Sequence, residues 1–134
     1  MTNGWKFHFE KVNGLPALHF EAKFDGSINV AATSLGGSIE LNKWQMVALV
    51  WDGTSSSANI KMYVDGQQLV LTSVDGSGNY VSDSSNDLIL GNSNFPTDGT
   101  FNRAANSLFD EVSIWSKPLN HSDINAIFKM QKGQ

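Results

Sequence analysis

The chain contains no cysteine among its 134 residues. That absence excludes disulfides, thiolate catalysis and cysteine-based zinc sites together, and it is compatible with either redox compartment. Positive charge is also scarce: nine Lys and Arg against thirteen Asp and Glu give a net charge of −4 and a pI near 5.1. With no basic stripe to release counterions from phosphates, nucleic acid is not an expected partner. No apolar run approaches the roughly 20 residues that span a bilayer, so no membrane association is expected. The opening MTNGWKFHFE lacks the basic start and apolar segment of a signal peptide. Several catalytic signatures are missing too. There is no Gly-x-Ser-x-Gly elbow, no phosphate-cradling glycine loop and no His-Glu-x-x-His. The chain is therefore read as non-enzymatic.

What is present is turn chemistry. Asn13-Gly14, Asp25-Gly26, Gly36-Gly37, Asp52-Gly53, Asp65-Gly66, Asp75-Gly76 and Asp98-Gly99 can each supply the positive φ of a tight reversal. Between them lie short runs that predict strands at about 5–11, 16–24, 28–32, 38–41, 45–51, 59–65, 67–73, 87–91 and 108–115. Short strands without intervening amphipathic helices imply an all-β fold, an antiparallel jelly-roll-type β-sandwich, in a single domain over 1–134. One short C-terminal helix is expected. Asn120 suits its N-cap, Asp123 falls at the third helical position of a capping box, and Ile124, Ile127 and Phe128 repeat at helical spacing. Ser73–Asn86 and Asn92–Ser107, rich in Ser, Asn, Asp and Gly, read as surface loops.

The stretch FHFEKVNGLPALHFEA writes His-Phe-Glu twice across Asn13-Gly14. A two-residue hairpin turn there pairs Phe7 with Phe20, Phe9 with Leu18 and Trp5 with Ala22 on one face, and Lys6 with Glu21 and His8 with His19 on the other. Every pair agrees in polarity, and a slip of one residue would turn Trp5, Phe7 and Phe9 into water. Two imidazoles and a carboxylate can bind zinc or copper. The simpler reading of His8, Glu10, His19 and Glu21 is the wet outer surface of a hairpin.

A run of motifs then carries a resemblance. Trp44, Trp51-Asp52-Gly53, Tyr63-Val64-Asp65-Gly66, Leu90-Gly91-Asn92, Asp110-Glu111-Val112 and Leu119 to Ile124 follow one another in order over some ninety residues. In this the chain resembles the laminin-G-like domains of the concanavalin A-like lectin/glucanase superfamily. The periodicity agrees independently. Met46 to Trp51 is apolar on both parities, as in a strand covered on both sides, whereas Ile60, Met62 and Val64 alternate with Lys61, Tyr63 and Asp65.

The resemblance implies a binding module, with carbohydrate recognition by surface loops or a concave sheet as the first expectation. The competing expectation is a structural or adhesion domain that self-associates without sugar. It also implies calcium, found in many relatives, and an extracellular working place. The loop around NSNFPTDGTFNRAAN supplies the expected ligand contacts Asn92, Asn94, Phe95, Phe101 and Asn102, and the expected calcium carboxylates are Asp98 and Asp110. Trp44, Trp51 and Trp115 match positions that relatives use for core or sheet packing, and Trp5 lies on the inward parity of the first hairpin. Superfamily hydrolases carry paired carboxylates on a strand facing a cleft, and neither of the usual spacings occurs here. Finally, relatives carry earlier strands than the one GWKFHFE matches. A bare edge and an uncovered apolar face would follow, which predicts that another copy of the chain completes the sandwich, or that the sequence is an excerpt.

Overall fold

The computed structural model describes residues 3–92 and 104–133. The chain forms two compact units, one of residues 1–83 with 117–134 and a second of residues 84–116.

The first unit is a β-sandwich. One sheet has the order β1-β2-β3-β7, with β1 Trp5–Val12, β2 Leu15–Ala22, β3 Val30–Ser34 and β7 Leu71–Val74. The other has the order β4-β5-β6, with β4 Val47–Val50, β5 Lys61–Val64 and β6 Gln67–Gln68. All pairings are antiparallel. The first hairpin has the predicted register throughout, from Trp5 opposite Ala22 to Val12 opposite Leu15. Asn13 at φ 52° and Gly14 at φ 80° make its turn, the primed type whose twist matches that of the flanking strands.

Between the sheets lie Leu18, Phe20, Ala22, Phe24, Val30 and Ala32 from one side and Ile60, Met62 and Val64 from the other. The opposite face of the three-stranded sheet buries Val50 and Tyr63 against Ile124 of the helix α1, His121–Lys132. That sheet is therefore covered on both sides, as the doubly apolar parity of Met46 to Trp51 implied. The helix begins as predicted: the Asn120 side chain accepts from the Asp123 N–H at 2.9 Å, and the Asp123 carboxylate accepts from the Asn120 N–H at 3.0 Å.

Several expectations are corrected. The run 38–41 is not a strand but a turn-rich loop, because Gly37 and Asn42 take positive φ and interrupt any ladder. Ile39 is buried all the same, inserted into the core from that loop. The single strand expected at 67–73 is two strands in different sheets, with Leu69 and Val70 carrying the chain across. The runs 87–91 and 108–115 have no regular structure. An apolar alternation becomes a strand only where a neighbour takes its backbone N–H and C=O groups. In the second unit a backbone bond runs from the Ala105 N–H to the Gly91 carbonyl at 2.7 Å.

Candidate functional site

The outer face of the four-stranded sheet carries an ordered row of polar side chains. Its register aligns one residue from each strand: His8 faces His19, His19 faces Thr33, and Thr33 faces Thr72. The next row begins with Lys6 and Glu21. Because residues two apart in a strand share a face, Glu10 belongs to the same surface.

These side chains hold one another. The His8 and His19 rings lie 5.0 Å apart between centroids, tilted by 56°. His19 Nδ1 is 2.7 Å from Thr33 Oγ1 and 3.4 Å from Glu10 Oε1. Glu21 receives an N–H from Asn29 at 2.7 Å and the Lys6 ammonium at 3.1 Å. Burial pushes the Glu21 carboxyl up, but the bonds from Asn29 and Lys6 outweigh it and hold the group below its ordinary range. The His8 imidazole is pushed down, first by burial and then by the charges of His19 and Lys6, against weaker opposition from Glu10 and Glu21. The row combines the side chains of two histidines, two glutamates, a lysine and threonines in fixed relative positions.

The geometry positions groups rather than activating one. In a nucleophilic triad the carboxylate holds one imidazole nitrogen and the hydroxyl meets the other. Here Glu10 and Thr33 both address Nδ1 of His19, so no relay passes through the ring. Among the described residues, no group of three or more His, Asp and Glu is arranged to hold a metal ion.

Of the residues expected from sequence to form the site, Asn92 and Asp110 are described. Asn94, Phe95, Asp98, Phe101 and Asn102 lie outside the described residues. Asn92 and Asp110 lie in the second unit, where one Asp110 carboxylate oxygen accepts from the Glu111 N–H at 2.8 Å. The tryptophans also divide. Trp51 packs against Phe20 and Tyr80 at centroid distances of 5.2 and 5.4 Å, as expected of a core aromatic. Trp44 is 67% exposed, contrary to expectation, because β4 begins only at Val47 and leaves Trp44 ahead of the paired ladder.

The family model described as the Concanavalin A-like lectin/glucanases superfamily, laminin-G type, matches residues 1–125. The chain belongs to that laminin-G-like family. No curated protein and no solved structure matches it. Within this laminin-G-like domain the residues that sequence reasoning missed are Thr33, Asn29 and Thr72. The two-residue turn fixed β1 against β2, but seven residues, 23–29, separate β2 from β3, so no local signal sets that register. The faint alternation of Val30-Ala31-Ala32-Thr33 is the one hint of which face Thr33 takes.

Proposed function

We propose that this laminin-G-like domain is a non-catalytic binding module that recognises carbohydrate on the outer face of its four-stranded sheet. The observation that carries the reading is the row His8, His19 and Thr33 with Glu10, Glu21, Lys6 and Asn29, a set of donors and acceptors already held in place by one another. Sugar hydroxyls are neutral, numerous and directional, and they are best matched by fixed amide, carboxylate and imidazole groups rather than by one strong charge. Because the groups are pre-ordered, little side-chain freedom is lost on binding. The lectin character of the superfamily supports the same reading.

The loop with Asn92, Asn94, Phe95, Phe101 and Asn102 is the second proposed contact, where aromatic rings would stack on the C–H faces of a pyranose. Calcium held by Asp98 and Asp110 is proposed beside that contact. The working place proposed with this function is extracellular, as is usual for laminin-G-like domains. No helix among the described residues is long and apolar enough to cross a membrane.

A glycan array read with and without calcium tests the proposal. Specific binding is expected, falling at least ~10-fold in Thr33→Ala or Glu21→Ala, since each removes a hydrogen-bonding group from the row. Loss confined to Phe95→Ala or Phe101→Ala would move the site to the loop. No binding under either condition would remove the carbohydrate reading altogether, and new reducing ends from incubated β-glucans would contradict the non-catalytic one.

A further inference from the structure

The strand β1 ends its sheet, pairing with β2 and with no other strand among the described residues. In a two-residue hairpin the residues flanking the turn exchange backbone hydrogen bonds, and hydrogen-bonded and non-bonded pairs then alternate along the ladder. Val12, Glu10, His8 and Lys6 therefore direct their N–H and C=O groups to β2. Trp5, Phe7, Phe9 and Lys11 direct theirs to the open edge, and no backbone hydrogen bond from another described residue reaches them. The same strand leaves apolar rings uncovered on its inward face, with Trp5 38% and Phe9 49% exposed. A long edge with exposed rings is a template for another strand.

The sequence of that edge is complementary to itself. We infer that a second copy of this chain pairs its β1 antiparallel to this one about a two-fold axis through His8. In that register Lys6 faces the partner's Glu10, Phe7 faces the partner's Phe9, and Trp5 faces the partner's Lys11. Each contact occurs twice, as two-fold symmetry requires. Opposite charges face each other on the wet side, rings face rings on the inward side, and an ammonium meets an indole. The hydrogen-bond phase also agrees: Phe7 and Phe9 form a bonded pair, and the two His8 residues form a close, non-bonded pair on the axis. Shifting the axis to Phe7 sets Lys6 against His8, and shifting it to Phe9 sets Phe7 against Lys11; both lose the Lys6–Glu10 match. Two four-stranded sheets become one of eight strands, and the polar row runs through the seam. The inference stands whether or not that row holds sugar.

The axis also makes the seam sensitive to acid. It brings four imidazoles into line, His19 and His8 of each copy, with Lys6 beside them and only Glu10 and Glu21 opposing on the same face. Protonation of His8 then sets like charges directly opposite one another on the axis, which destabilises a strand pair. Association is strongest with neutral His8 and weakens as pH falls below the ordinary histidine range.

The experiment is sedimentation of the whole chain, followed by cross-linking. A seam one strand wide is small, so dimers are expected at about 100 µM and partial dissociation at about 1 µM near pH 7.5. The dissociation constant should rise as pH falls below the ordinary histidine range, because burial and the neighbouring charges keep His8 neutral to lower pH. Lys6→Glu alone and Glu10→Lys alone should each be monomeric with folded circular dichroism, and their equal mixture should dimerise, because the mixed seam restores both ion pairs. In this cysteine-free chain, His8→Cys should form a disulfide-linked dimer under mild oxidation, since a non-bonded antiparallel pair suits disulfide geometry. Lys6→Cys should not, its twin lying roughly 13 Å away along the strand. A monomer at every concentration, association unaffected by either charge reversal, or equal cross-linking from residues 6 and 8 would each overturn the inference. Glycan binding with none of these effects would leave the carbohydrate reading intact and remove only the seam.

Discussion

The two strands of the first hairpin share one alternation and one turn, yet their inward faces meet different fates. Leu18 and Phe20 of β2 are 1% and 0% exposed, whereas Phe9 of β1, directly opposite Leu18, is half in solvent. The cause lies outside the hairpin. Met62 and Val64 of the second sheet lie over β2 and β3, while only Phe7 of β1 packs partly against that core. Alternation thus decides which side of a ribbon is apolar, and the reach of the opposing layer decides how much of that side is dry. A ring left uncovered at a sheet edge marks either a place where the fold stops or a place where something else begins.

This contrast can be pressed experimentally. The largest effect is expected at the covered strand: Phe20→Ala should destabilise the domain by about 3–5 kcal/mol in a denaturant titration, since it removes a fully buried ring that also packs on Trp51. A loss below ~1 kcal/mol would mean that the second layer does not cover β2. A smaller effect should appear on the alkaline side. Burial, then the bond to the Asp83 carboxylate, push the Tyr80 hydroxyl up to about 12 from an ordinary 10.0. Its folded pKa is raised, so its contribution is complete below about 10 and is lost as pH rises toward about 12. Tyr80→Phe should flatten that fall in melting temperature, and an unchanged alkaline limb would place the ring in solvent. The smallest effect belongs to the uncovered strand, where Phe9→Ala should change monomer stability by less than ~1 kcal/mol. A loss as large as that of Phe20→Ala would erase the distinction between the two strands.

Much of the architecture was legible from residue order. The hairpin register followed from Asn13-Gly14 because a two-residue turn leaves no freedom in which residues face each other. The helix start followed from Asn120 and Asp123, which satisfy orphan backbone groups within four residues of chain. The candidate site was legible only in part. Its β1 and β2 members were placed on one face by the hairpin, but Thr33 and Asn29 arrived through a seven-residue connection whose path nothing local dictates. Trp44 is exposed for a related reason: β4 starts three residues after it, at a point fixed by the bonds between Asp65 and the Met46 backbone rather than by residue type.

By itself, the order of residues determined where the chain turns, which parity of each ribbon is apolar, how the first hairpin pairs and where the helix begins, because all of these are settled by neighbours a few bonds apart. The tertiary structure alone decided that residues 67–74 divide between two sheets, that Ile39 enters the core from a loop, and that β1 is left partly bare. Those outcomes depend on how far one layer extends over another and on which backbone groups find partners, and no short stretch of sequence holds that information.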